Sequence, residues 1–474
     1  MQPYGEMIEP ILDGESGSTI GAFFDLDGTI IASHSIKDVF LERLKAGQVS
    51  ATEVTDLAKM TFKYLMKTGD FQDQLAASVK NTEGVEAREF EELGERVYTQ
   101  KLAREVFPEV RAMIRAHQEQ GHTIAIVSSA TRYQIEPLAR ALGIDHILCT
   151  ELEIVDGLFT GELAGPACYG QGKVDAAEAF AEDHDISMES SYFYSNGSED
   201  IPLLEAVGYP VAIAPDKALE REAERQGWPV HHFESRGSTG IGDIVRTVGA
   251  FGSVLPALAA GLPILALGGS RRDAMNFSIN AWAGLGSAFA RLKMIVEGEE
   301  HLWWHRPAVF IFNHQSAIDM LITAKLLRED IVGVAKKEIQ RQPIMGPALT
   351  AAGAVFIDRD NVSDPKAALQ PAIEALDEGR NVLIAPEGTR SRDGKLGQFK
   401  KGAFHLAMQA QVPIVPIVIH NALDALPNHA LVVRPAEVKV TVLPPISTEG
   451  WTVRDVVRSA RAVRKSYLEI LEPG

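Results

Sequence analysis

The chain has 474 residues, 46% of them hydrophobic, which is enough for two or more domains with full-sized cores. Its formal net charge of −18 is unevenly divided, residues 1–245 holding 42 Asp and Glu against 20 Lys and Arg, and residues 246–474 holding 22 against 26. That balance excludes a nucleic-acid partner and lets only the second half approach anionic lipid, while two cysteines, Cys149 and Cys168, exclude a disulfide framework and fit a reducing compartment.

The first predicted strand, Gly21-Ala22-Phe23-Phe24, ends in Asp25-Leu26-Asp27-Gly28-Thr29. Phosphoryl transfer through an aspartyl phosphate needs one carboxylate as nucleophile, a second as acid or base, and a divalent cation against the gathering charge. Asp25 and Asp27 suit the first two roles, since alternate residues are re-aimed together where a strand opens into a glycine-containing loop. A long insert follows. Its apolar residues recur at helical spacing, Val39, Phe40 and Leu44 and then Leu57, Met60, Phe62 and Leu65, which predicts a helical cap over about residues 34–105. Lys59, Lys63 and Lys67 read equally as a solvated helix face or as a lipid or phosphate contact. The strand Thr123-Ile124-Ala125-Ile126-Val127 then ends in Ser128.

Together with Gly172-Lys173-Val174 and the run from Tyr194 to Leu204, these blocks resemble the haloacid dehalogenase superfamily, in its phosphoserine-phosphatase-like branch, subfamily IB. The resemblance implies a Rossmann-like parallel sheet with a helical cap. It gives Ser128 the phosphoryl group to hydrogen-bond and Lys173 the charge of nucleophile and phosphate to offset, and it groups Asp25, Asp27, Asn196 and Asp200 around Mg2+. Asn196 stands where that family places an acidic ligand, and hard cations bind more weakly as ligand charge is removed. A working phosphomonoesterase and an inactive or regulatory docking domain are therefore both open. For a working enzyme, a lipid phosphate and free phosphoserine are both open as substrate.

At the junction, Thr247 to Ser270 is the longest uncharged segment, flanked by Arg246, Arg271 and Arg272. It is long enough to cross a bilayer if helical, yet Pro256, Pro263 and repeated glycines equally predict a re-entrant hairpin, interfacial helices or a buried helix pair. Positive charge at both ends leaves orientation open. Phe277, Ile279, Trp282, Leu285, Phe289 and Leu292 follow at the spacing of an amphipathic helix. We expect a phosphatase-like domain over 1–245, a membrane-associating helical linker over 246–295 and a second catalytic domain over 296–474. The first residues are polar and acidic, not those of a signal peptide, so both catalytic domains are expected to face the cytoplasm.

The strand Ala308-Val309-Phe310-Ile311-Phe312 leads into Asn313-His314-Gln315-Ser316-Ala317-Ile318-Asp319, and a helix is predicted from Met320. Acyl transfer to an alcohol needs a base, because a neutral hydroxyl is a poor nucleophile. An imidazole, with an intrinsic pKa of about 6.5, supplies one, and a carboxylate on its other nitrogen fixes the tautomer. His314 and Asp319 can meet only where a strand gives way to a helix, since five residues do not stack on a regular helix. A second apolar run, Val382 to Ala385, leads into Pro386-Glu387-Gly388-Thr389-Arg390. There Gly388 allows close backbone approach and Arg390 offers a fork of donors for phosphate.

These runs, with Ala335-Lys336-Lys337-Glu338, Gly353 to Arg359 and Val412-Pro413-Ile414-Val415-Pro416 in order, resemble the glycerolipid acyltransferase family that includes 1-acylglycerol-3-phosphate acyltransferases. The resemblance implies an α/β acyltransferase domain behind a membrane-associated helical hairpin. It makes His314 and Asp319 a catalytic dyad and gives Lys337, Arg359, Glu387, Gly388, Thr389 and Arg390 to the acceptor. Its expected partners are a membrane lipid surface, lysophosphatidic acid and an acyl thioester from acyl-CoA or acyl-carrier protein. A last helix over about 452–471 is expected against the core, with a basic membrane-facing surface as the alternative.

Overall fold

The computed structural model describes residues 4–45, 75, 79–237, 239–342, 345–357, 369–390, 396–427 and 430–471. Leu57, Met60, Phe62 and Leu65 of the expected cap, Lys59, Lys63 and Lys67 on it, and the expected phosphate ligand Arg359 lie outside the described residues. The chain divides into two compact units, Tyr4–Gly237 and Ser238–Gly474.

In the first unit the strands are β1 (Ile20–Phe24), β2 (Thr123–Thr131), β3 (His146–Thr150), β4 (Leu152–Val155), β5 (Leu158–Leu163), β6 (Ser187–Ser195), β7 (Tyr209–Ile213) and β8 (Val230–His231). Six of them form a parallel sheet in the order β3-β2-β1-β6-β7-β8, and β4 with β5 makes a separate antiparallel hairpin. All five residues of β1 are buried, as expected of a central parallel strand covered on both faces. Alternation sends Phe24 into a core with Ile114 and Ile135, and Phe23 into another with Phe180 and Leu204. Of the cap, the helices Ser35–Lys45 and Ala87–Val97 are described.

The second unit carries β9 (Leu292–Glu297), β10 (Val309–Phe312), β11 (Ile331–Lys336), β12 (Val355–Ile357), β13 (Asn381–Ile384), β14 (Ile414–Ile419) and β15 (Ala436–Val442), in the order β12-β11-β13-β10-β14-β15-β9. Five neighbouring strands, β12 to β14 in that order, run parallel, whereas β15 is antiparallel to β14. Val309 and Ile311 face one core and Phe310 and Phe312 the other. The last helix, Val453–Leu471, buries Val456, Ala460, Val463 and Tyr467 in the first of these cores, and the Tyr467 hydroxyl donates to the Ile311 carbonyl at 3.0 Å.

Ahead of β9 stands a helical hairpin. Its first arm runs through Ile241–Gly252, Val254–Ala260 and Leu262–Ala266, and its second is Arg271–Ala290. The first arm begins ahead of the uncharged run, and Leu292, expected on the amphipathic helix, lies in β9. The apolar stripe of the second arm, expected to face either core or membrane, is divided, since Trp282 is buried with Ala274, Ser278, Gly286 and Ala290 while Phe277, Leu285 and Phe289 are exposed. A Cβ on Gly249 would come within 2.4 Å of the Phe289 ring, and one on Gly286 within 2.9 Å of the Ala250 carbonyl, so the arms touch through small residues. Over Ile241–Ala266 the chain is long and apolar enough to cross a membrane, with Val248, Leu262 and Leu267 among its exposed side chains and those just beyond it.

Two candidate active sites

In the first unit the parallel register pairs Phe24 with Ile126 on one side and Tyr194 on the other, so the next residue, Asp25, emerges at the carboxyl end of the sheet beside Ser195. Its N–H donates to the Tyr194 carbonyl at 3.0 Å. Lys173, in the first turn of the helix Gln171–Asp183, donates through Nζ to Asp25 Oδ1 and to Asp200 Oδ2, both at 2.7 Å. Burial pushes the Asp25 carboxyl up to about 7 against the pull of Lys173. Burial also disfavours the Lys173 ammonium, yet Asp25 and Asp200 hold it above the ordinary lysine value. Ser195 donates its hydroxyl to Asp200 at 2.6 Å, and Ser128 is buried at the end of the apolar part of β2.

Asp27 is placed differently from the expectation that made it a metal ligand. Its carboxylate caps the helix Ser35–Lys45, accepting the Ser35 N–H at 2.7 Å and hydroxyl at 3.0 Å. Among the described residues no three His, Cys, Asp or Glu side chains come together as a metal site. A cation here would rest on Asp25, Asp200 and the Asn196 amide. That oxygen-only set suits Mg2+, and Asp200 Oδ1 is buried without a hydrogen-bond partner. Gly28, at φ +83°, lets Asn196 close on the loop, because a Cβ there would lie 2.1 Å from Asn196 Nδ2.

In the second unit β10 ends at Phe312, and the turn that follows is fastened to β14 by Asn313, whose side chain donates to the Ile419 carbonyl at 2.8 Å and accepts its N–H at 2.7 Å. His314 Nδ1 lies 2.8 Å from Asp319 Oδ2, at the start of the helix Asp319–Leu327. That same oxygen accepts the N–H groups of Gln315 at 2.8 Å and Ser316 at 2.9 Å. Asp319 is fully buried, whereas the His314 side chain is 25% exposed. The ring is therefore oriented from behind through Nδ1, with Nε2 as its other nitrogen.

Glu387, expected to hold the acceptor, turns both oxygens to backbone donors instead. Oε1 accepts the His314 N–H at 2.8 Å and Oε2 the Gly397 N–H at 2.7 Å. Burial raises its carboxyl above the usual range despite those bonds. Gly388 takes φ +76°, a left-handed conformation that a side chain would strain. Lys337 follows β11, Gly388, Thr389 and Arg390 follow β13, and His314 follows β10, so the carboxyl ends of three adjacent parallel strands deliver them to one edge. Lys337, Thr389 and Arg390 are exposed there.

The haloacid dehalogenase-like hydrolase family matches residues 22–205, and the acyltransferase family matches residues 293–420. A probable phosphatase of Mycobacterium tuberculosis is 33% identical over 215 residues, covering 45% of this chain and 75% of that protein. The chain joins a haloacid dehalogenase-like hydrolase domain to an acyltransferase domain. A 1-acyl-sn-glycerol-3-phosphate acyltransferase of Limnanthes douglasii is 38% identical over 180 residues, which span 37% of this chain and 62% of that protein. Among solved structures, the 1-acyl-sn-glycerophosphate acyltransferase of Thermotoga maritima is 22% identical with a TM-score of 0.40, over 48% of this chain and 96% of its own.

Several site residues carried no signal of their role in the sequence. Ser35, which donates to Asp27 from the first position of its helix, and Asn313, Gln315 and Ser316, inside the recognised run, had no partners that the sequence assigns. The ties of Glu387 to His314 and Gly397 join residues 73 and 10 positions apart, and nothing local announces them.

Proposed function

We propose that the acyltransferase unit transfers an acyl group from an acyl thioester, carried by coenzyme A or a carrier protein, to the free hydroxyl of lysophosphatidic acid, giving phosphatidic acid. The observation that carries this reading is the His314–Asp319 pair, with Nδ1 held at 2.8 Å by a buried carboxylate. His314 Nε2 takes the hydroxyl proton as the oxygen attacks the thioester carbonyl. The C–S bond then breaks, and the thiolate leaves with the proton from the imidazolium, which Asp319 stabilises meanwhile. Lys337 and Arg390, on the edge shared with His314, supply cations for the acceptor phosphate. The exposed apolar hairpin seats the unit at a cytoplasm-facing membrane surface.

The test is mass spectrometry of lipids formed from lysophosphatidic acid and an acyl-CoA by the full chain and by His314→Ala. Phosphatidic acid should form only with the parent chain, and turnover retained by the variant would overturn the assignment.

In the hydrolase unit, the Asp25–Lys173–Asp200 cluster supports phosphomonoester hydrolysis, with Asp25 as nucleophile and Asp27 as acid and base once its carboxylate turns from Ser35. Mg2+, held by Asp25, Asp200 and Asn196, would supply charge neutralisation for the phosphoryl group. The neutral Asn196 favours a second reading, an inactive docking domain. Release of phosphate from an aryl phosphate, lost in Asp25→Asn, separates the two.

A further inference from the structure

Asp243 lies in the first turn of the hairpin's first arm, between the exposed Ile241 and Ile244, yet it is only 9% exposed. Both of its oxygens are engaged, Oδ2 by Arg434 at 2.6 Å and Oδ1 by Arg246 at 2.5 Å. One turn later the Thr247 hydroxyl accepts the Val433 N–H at 2.8 Å. Arg434 donates its own N–H to the Ala425 carbonyl at 2.8 Å. The next carbonyl, that of Leu426, accepts the Ser316 hydroxyl at 2.7 Å, and Ser316 donates its N–H to Asp319 Oδ2 at 2.9 Å. A continuous run of hydrogen bonds thus leads from the head of an apolar helix to the carboxylate behind His314.

We propose that Asp243 and Arg434 form a positioning latch that fixes residues 425–427 and 430–434, and through Ser316 the orientation of the His314–Asp319 pair, an inference that rests on the acyl-transfer reading above. A buried cluster of three charges stabilises little compared with apolar packing of the same volume. Its use here is geometric. The loop sits against the apolar core through Val433 and Leu426, which resist displacement but do not fix rotation, whereas the ion pair pins it in one register with the helix. Small displacements behind a general base are costly because proton transfer needs a hydrogen-bonded geometry at the reacting oxygen.

The test uses the full chain with lysophosphatidic acid and acyl-CoA, with rates normalised to the folded fraction from thermal unfolding. Arg434→Gln should lower kcat about tenfold with KM for either substrate unchanged, and Arg434→Lys should recover most of the loss. In a Ser316→Ala background, Arg434→Gln should cost nothing further, which a merely structural role would not produce. Undiminished kcat in Arg434→Gln, or full additivity with Ser316→Ala, would overturn the latch. If Arg434→Gln does not fold, Asp243→Glu, which keeps the charge and displaces it by one methylene, should show the same kcat loss, and parental kcat there overturns the latch equally. His314→Ala is run alongside. Turnover in that variant removes the acyl-transfer reading itself, whereas its loss beside an undiminished Arg434→Gln removes only the latch.

Discussion

Glu387 is bonded to His314 not through the imidazole but through the backbone, its Oε1 accepting the histidine N–H at 2.8 Å while Oε2 accepts that of Gly397 at 2.7 Å. The loop after β13 is thereby hung on the loop after β10. Gly397 is itself held from the far side, where Arg464 of the last helix donates to its carbonyl at 2.9 Å. A Cβ on Gly397 would come within 2.8 Å of Glu387 Oε2, so the approach needs glycine.

Replacing Glu387 by Ala removes both acceptors at once. Each donor left buried without a partner costs about 1–3 kcal/mol. The thermal midpoint of the acyltransferase unit should fall clearly, and acyl transfer with it. Glu387→Gln keeps one acceptor oxygen and should fall by less, an order that calorimetry of the three proteins would establish.

Asp319→Asn keeps the size of the side chain but offers His314 Nδ1 an amide in place of a carboxylate. The imidazolium formed during transfer then loses its counter-charge. A loss in kcat of about a hundredfold or more is expected, in the range seen when general-base catalysis is removed. Steady-state kinetics with KM little changed would fit this role, whereas a change in KM alone would move Asp319 to substrate binding.

Asn196→Asp is nearly isosteric and keeps the close approach to Gly28. It adds a carboxylate beside Asp25 and Asp200, so Mg2+ should bind more tightly, as isothermal titration calorimetry reads directly. Phosphate release from an aryl phosphate should rise in parallel. Unchanged Mg2+ affinity would show that the amide is not a ligand.

His117 is fully buried in the hydrolase unit, with Nε2 2.8 Å from the Tyr194 hydroxyl and Nδ1 2.7 Å from His122 Nδ1. Burial first, and His122 second, hold its pKa well below the ordinary 6.5. The unfolded chain therefore binds a proton that the folded chain refuses. The contribution to stability is fully present above about pH 6.5 and is lost as pH falls from there toward the folded value. Denaturant midpoints measured between pH 7.5 and 5 should decline for the parent and decline less for His117→Gln.

The strands that carry chemistry were legible because each is a continuous apolar run that ends abruptly in polar residues, as β1 does at Asp25 and β10 at Asn313. The start of the hairpin was not, because Arg246 reads as the charged edge of the uncharged run, whereas it pairs with Asp243 inside the helix, and Asp243 also meets Arg434, 191 residues away. What covers the second arm was not legible for a related reason. Periodicity of large side chains marks a face without saying whether protein or something else covers it, and here Ala274, Ser278 and Gly286 make the protein contact together with Trp282. Asp27 was read from its spacing to Asp25, but spacing along a loop says nothing of a helix start eight residues on that claims both oxygens.

The contact of the hairpin arms through glycine and alanine separates two jobs that most helices combine. The inward positions, Gly249 and Gly286 among them, set how near the arms come and admit no enlargement. The outward ones, Val248 and Leu285 among them, could change in bulk and polarity without repacking the arms. The hairpin can therefore be retuned to surroundings of different composition by exchanging outer side chains alone, with the catalytic fold behind it left undisturbed.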